Sequence, residues 1–193
     1  MTTVESTISW ENLERHVRET PLLMPRDGEL IYPYADAEIR LAEISCDDVQ
    51  PTTFYVVRRN LGELATVWCD LAMQGYEDPL QLSRGYLLRK EDGKLVGLTP
   101  PIVEDTPEDG TYLLDGAHRV SLGRSFGRRS FAAVYISGLR ADCPSYAFPN
   151  SWSAVRIVDD VPTDPAQKKH YRPNYRALYR DFSALNGSRL REA

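Results

Sequence analysis

TYLLDGAHRVSLGRSFGRRSFAAVYI, Thr111 to Ile136, contains a strand, a tight turn, a short helix and a second strand. Thr111 to Leu114 is an apolar run that Asp115-Gly116 interrupts, and Val120 to Phe126 predicts a short helix ended by Gly127. Phe131, Ala133 and Tyr135 then alternate with Ala132, Val134 and Ile136, the composition of a strand buried on both faces. A strand that ends in Asp-Gly and enters a helix near His118-Arg119 offers free backbone N–H groups where the helix dipole favours an anion, so phosphate is the expected ligand. Gly116 allows the turn and close approach at Gly116-Ala117, His118 exchanges a proton near neutrality, and Arg119 suits a forked contact with phosphate oxygens. Asp115 is placed to orient His118 or to hold Mg²⁺ through water. A plainer reading stands beside this one: Asp-Gly as an ordinary turn, His118 as a helix cap, and Arg119 paired with Glu104 or Asp105 at the surface.

Upstream, Ile102-Val103 forms the strand that reaches Thr111 through the Pro- and Gly-bearing turn 105–110. Gly85 to Arg89 and Leu95 to Leu98 flank Glu91-Asp92-Gly93 as a hairpin. Leu61, Leu64, Ala65, Trp68, Leu71 and Ala72 mark one face of a helix, with Asn60 as its N-cap and Gly75 at its C-terminal end. Glu38 to Ile44 alternates as a half-buried strand, and Trp10, Leu13 and Val17 predict an amphipathic helix over Ser9 to Glu19. Downstream, Trp152 to Val158 reads as a strand, and Tyr175, Leu178, Tyr179, Phe182 and Leu185 have helical spacing. Lys168, Lys169, Arg172, Arg176 and Arg180 make that last segment basic, which suits an acidic ligand or a solvated helix face.

With 193 residues and 42% hydrophobic content, one core with extensions is expected. The net charge of −5 argues against sequence-independent DNA binding, so nucleic acid is not the expected partner. Cys46, Cys69 and Cys143 form no C-x-x-C pair, and no stretch reaches the length of a membrane span, so a cytoplasmic protein with no membrane partner is expected. His16 and His170 have no partner spacing and read as surface or capping residues. Trp10, Trp68 and Trp152 read as core or lid anchors rather than a base-stacking platform.

The run Leu113-Leu114-Asp115-Gly116-Ala117-His118-Arg119, followed by Gly127 and the 131–136 strand, resembles the second box of the ParB/sulfiredoxin superfamily. The 39–44 strand, Asp47, Pro51, the 61–73 helix, Gly75 and Pro101-Ile102-Val103 occur in that family's order, so the resemblance spans residues 38–137. It implies an α+β fold, a compact mixed sheet with flanking helices that forms a nucleotide-binding domain. Helical extensions would lie on either side, an arm over 1–37 and a C-terminal extension over 138–193. Residues 80–98 depart from the pattern as an insertion.

Sulfiredoxins carry a catalytic cysteine where Ala117 stands, which removes that nucleophile here. Chromosome-partitioning members carry Gly-Glu-Arg-Arg in place of residues 116–119 and a helix-turn-helix module downstream, neither of which this chain has. The D-G-x-H-R form is similar to that of the superfamily's free-serine kinases. That resemblance implies ADP or ATP, Mg²⁺ and a small hydroxyl acceptor such as L-serine. It makes Asp48 the general base by position, with Asp47 and Glu43 as neighbours, and sets Asp48, His118 and Asp115 as the catalytic group with Asp115 as metal ligand. Arg58 and Arg59, expected just before the helix, would bind phosphate or a substrate carboxylate, or else are surface arginines. The alternative is a noncatalytic, CTP-type nucleotide-binding switch that acts on a protein or DNA partner, with a homodimer as one possible assembly.

Overall fold

The computed structural model describes residues 1–185. In chain order the elements are β1 (Thr3–Ile8), α1 (Trp10–Arg18), β2 (Glu38–Ser45), β3 (Gln50–Pro51), β4 (Tyr55–Val57), α2 (Arg58–Met73), β5 (Gly85–Arg89), β6 (Leu95–Leu98), β7 (Ile102–Thr106), β8 (Gly110–Asp115), α3 (Ala117–Ser125), β9 (Ser130–Ser137), β10 (Ala147–Phe148), β11 (Arg156–Val158) and β12 (His170–Tyr171). The central sheet has the order β2-β9-β7-β8-β3. It is mixed: β9 runs antiparallel to β2 and parallel to β7, while β8 runs antiparallel to β7 and parallel to β3. A smaller antiparallel sheet, β1-β5-β6, lies apart from it. This is the mixed α+β architecture with flanking helices that the 38–137 pattern implied.

Side-chain alternation divides the central sheet between two cores. Ile39, Ile102, Tyr112, Val134 and Ile136 pack on one face with Leu13 and Val17 of α1, and with Tyr146, Leu178 and Leu185 from the C-terminal segment. Val103, Leu113, Phe131 and Ala133 pack on the other with Val120 of α3 and Trp68 of α2. Covered on both sides, β9 has no polar face to show, which is why its sequence is nearly all apolar. Leu13 and Val17 are fully buried, each worth about 1.5–3 kcal/mol by transfer.

Several local expectations hold. The helix expected over Ser9 to Glu19 is α1, which Ser9 caps by accepting from the Asn12 N–H, the β5–β6 hairpin turns at Gly93 with φ +79°, and Gly75 and Gly127 take left-handed conformations after α2 and α3. Others are corrected. β1 has no clear signal in its mixed sequence, yet it pairs with β5 through a bulge between Val4 and Ser6. Asn60 is not a cap: α2 starts at Arg58 with Val57 as N-cap, so Arg58 and Arg59 lie in its first turn rather than before it. Residues 152–158 split into a 3-10 turn, Trp152–Ala154, and the short strand β11, which joins β4 in parallel. His16 is buried, not a surface residue.

The C-terminal segment departs furthest from its periodicity. In place of one helix it forms two 3-10 turns, Tyr175–Leu178 and Phe182–Leu185, with extended backbone between them. The reason is tertiary. There the Tyr179 carbonyl accepts from the Leu23 N–H at 2.7 Å, and Arg180 forms a β-bridge with Leu22. Arg180 then enters the core, where it meets Glu104, Tyr34 and Tyr112, all buried. Its Nε lies 3.2 Å from Glu104 Oε1, its remaining donors reach the carbonyls of Cys143, Pro144 and Leu178, and both tyrosine hydroxyls donate to the Glu104 carboxylate. Among the described residues no helix is long and apolar enough to cross a membrane.

Candidate functional site

The site begins with a break in the β7–β8 ladder. Ile102 faces Asp115 but Val103 faces Leu113, so Leu114 is an extra residue on β8. The bulge lets Leu113 and Leu114 both be buried and delivers Asp115 to the surface at the strand end. Gly116 follows at φ +95° and ψ 11°, and the first bond within α3 runs from the Val120 N–H to the Gly116 carbonyl at 3.0 Å. The N–H groups of Ala117, His118 and Arg119 therefore precede the intrahelical ladder, and no side chain caps them.

These groups open into a cleft of about 370 Å³ whose walls also include Thr53, Tyr55, Leu64, Gly97, Leu98, Tyr146 and Lys169. Of the predicted residues, Asp115, Gly116, Ala117, His118 and Arg119 all line it. His118 has a second task. Its Nε2 accepts the Val57 N–H at 2.9 Å, at the start of α2, so α2 and α3 begin from one shared contact. The neutral imidazole is the form that can accept there, and burial holds its pKa below the usual value of 6.5 against the opposing pull of Asp115. Arg119 turns inward: it is 7% exposed and donates to the Thr99 carbonyl at 2.6 Å and weakly to that of Pro79. Burial lowers its pKa to about 10, a value at which it stays charged near neutrality. It pairs with neither carboxylate of the plainer reading. Glu104 belongs to the Arg180 cluster, and Asp105 accepts from Thr111 and Tyr135.

Asp48, Arg58 and Arg59 are not brought into the cleft. Asp48 is exposed on the loop after β2, and its neighbour Asp47 pairs at 3.1 Å with Arg124 in the last turn of α3. The cleft lies at the first turn of that nine-residue helix, which at 1.5 Å per residue is about 13 Å long. Arg58 pairs with Asp159 at 2.8 Å, and Arg59 lies 3.9 Å from Glu63 along its own helix, both at the surface.

What the motif did not reveal is Lys169, half-buried in the cleft wall. Its Nζ donates to Thr52 Oγ1 at 3.2 Å and sits 5.1 Å from the centre of the Tyr146 ring. Burial lowers its pKa to about 8, while Asp115 pulls the other way. Its signal was the basic run 168–180, whose members meet different fates. Arg172 is paired with Asp109, Arg180 is buried against Glu104, and Lys169 faces the cleft, so the run is not one solvated helix face.

Among the described residues there is no cluster of three or more His, Cys, Asp or Glu suited to a metal. The cleft's described wall holds one carboxylate, Asp115. One carboxylate with ligand phosphates and water is a donor set that Mg²⁺ accepts. It would also neutralise Asp115 beside a bound anion.

The His118 bond carries a pH signature. Because the folded-state pKa is depressed, the unfolded chain takes up the proton first, so the stabilisation is present above pH 6.5 and is lost as pH falls. Buried His16 acts in the same sense. His118→Gln is expected to flatten the stability profile between about pH 7.5 and about pH 5 measured by urea unfolding. An unchanged profile would assign the whole dependence to other groups.

A family model described as the ParB CE domain matches residues 12–157. The match takes in most of α1 as well as the 38–137 region, and ends before Lys169. No curated protein and no solved structure matches the chain. With more than half of the chain matched and the mixed sheet leading into the 115–119 turn, the protein belongs to the ParB CE domain family, within the ParB/sulfiredoxin-like superfamily.

Proposed function

We propose that this protein is a noncatalytic nucleotide-binding switch that holds its ligand by the phosphates in the Asp115–Arg119 cleft. One observation carries the reading: the free N–H groups at the start of α3 share a cleft with Lys169, which comes from a different part of the chain. Backbone donors and a lysine facing one space suit a polyphosphate. Asp115 is the residue that would hold Mg²⁺, which would supply charge neutralisation to the bound phosphates. A CTP-type nucleotide is the ligand that goes with the switch reading, and ATP or ADP would use the same phosphate contacts.

A switch needs a part that responds. Lys169 lies in the segment that packs over the β3–β4 loop, where the Lys168 carbonyl accepts from the Phe54 N–H at 2.9 Å. Occupancy would tie that segment to α3 and so change the surface offered to a protein or DNA partner. A free-serine kinase would need a base at the acceptor hydroxyl. Asp48 lies outside the cleft, and His118 Nε2 already accepts from Val57, so the switch is favoured over phosphoryl transfer.

The test is calorimetric binding of CTP, ATP and ADP with Mg²⁺ to the full chain, with mass spectrometry of the nucleotide in the presence of hydroxyl metabolites. Binding without conversion is expected. A phosphorylated acceptor would restore the kinase, and no binding by any nucleotide would overturn the nucleotide reading. Lys169→Ala should weaken binding by about 10- to 100-fold, the scale of one charge-assisted hydrogen bond. Because the ammonium form is required, affinity in the wild type should fall as pH rises through about 8, and this dependence should disappear in the variant.

A further inference from the structure

Beside the phosphate turn lies a second chamber of about 460 Å³, between α2 and the β5–β6 hairpin. Its apolar walls are Leu64 and Val67 from the helix and Leu88, Val96 and Leu98 from the strands, and Thr2, Asn60, Glu63, Lys90 and His118 are its polar members. His118, Leu64, Gly97 and Leu98 line both chambers, so the two spaces adjoin. Such a volume is of the size that small-molecule sites use.

The walls select a chemistry. They contain branched aliphatic side chains and no phenylalanine, tyrosine or tryptophan on which a flat base would stack. At the rim, Glu63 and Lys90 are 2.8 Å apart and satisfy each other, and Lys90 holds the Glu63 carboxyl below the usual carboxylate range. A nucleobase placed here would find no ring to stack on, and only Thr2, Asn60 and His118 stand outside the rim ion pair to meet its polar edges. An aliphatic body makes no such demand and gains dispersion contacts from every wall.

We infer that this chamber is a binding site for an aliphatic small molecule, occupied next to the phosphate ligand rather than by part of it. The site stands on its own walls and does not require that the phosphate ligand be a nucleotide.

The probe is 1-octanol, titrated into methyl-labelled full-length protein and followed by NMR. Saturable shifts confined to the methyls of Leu64, Val67, Leu88, Val96 and Leu98 are expected. Shifts spread over exposed methyls without saturation, or no shifts, would overturn the site. Val96 and Val67 line this chamber and not the phosphate cleft. Val96→Phe, with Val67→Phe as a second blocking variant, should weaken octanol binding at least about tenfold by filling the space, while CTP binding and the circular dichroism spectrum are retained. Undiminished octanol affinity in a folded variant would refute the assignment. Octanol binding without nucleotide binding would sink the proposed switch and leave this chamber standing, whereas nucleotide binding without octanol binding would do the reverse.

Discussion

Arg180→Ala should lower the unfolding free energy by about 3–5 kcal/mol, the loss typical when one partner of a buried ion pair is removed. Arg180 and Glu104 both have fully buried side chains. Without the guanidinium, the Glu104 carboxylate would keep only the hydroxyls of Tyr34 and Tyr112 while fully buried. The carbonyls of Cys143, Pro144 and Leu178 would lose a donor at the same time. Burial and the nearby Glu104 charge hold both tyrosines well above their usual range, so they remain hydroxyl donors. Arg180→Lys should recover only part of the loss, because an ammonium on a flexible stem cannot span Glu104 and three carbonyls together. Urea unfolding of wild type and the two variants checks this, and a thermal scan should show a fall in Tm on the order of 10 °C for the alanine variant. A change under about 1 kcal/mol would mean that the C-terminal segment is not anchored through this cluster.

Gly116→Ala should cost about 2–5 kcal/mol and abolish phosphate binding. Two penalties add. A left-handed conformation costs an L-residue about 1–2 kcal/mol, and Gly116 sits at φ +95°. A Cβ there would also stand 2.8 Å from Pro101 Cβ. That ring is stiff, so relief must come from moving the strand end or the helix start, the scale of overpacking at about 1–3 kcal/mol. Gly127→Ala is the control: its φ is +76°, and a Cβ there meets nothing within 4 Å. It should show the conformational penalty alone and leave ligand binding intact. Equal destabilisation of the two variants would show that the Pro101 contact carries no weight.

The 115–119 turn was legible because its signals are local. Asp-Gly after an apolar strand sets a backbone reversal, and a helix started by that reversal exposes its first N–H groups whatever packs around it. The apolar run of β9 was legible for a related reason, since double burial imposes composition on every residue of the strand. The side chains of the turn were a different matter. Arg119 and His118 were both expected to serve a ligand, but each is committed to the protein backbone, Arg119 to Thr99 and His118 to Val57. Motif spacing places a residue at the cleft without saying which way its donors point.

The amino-acid sequence alone determined the order of the longer strands and helices from Glu38 to Ser137, though not the short β3 and β4, together with the 115–119 turn and the positions that only glycine fills well. Those features depend on periodicity and on φ, which neighbouring residues impose. The tertiary structure alone decided that Lys169 joins the cleft, that Asp48 does not, and that Arg180 breaks a helical pattern to reach Glu104. Each of those depends on contacts between segments far apart in the chain. There the energy of one buried charge cluster outweighs the small propensity, below about 1 kcal/mol per residue, that would have carried the helix through.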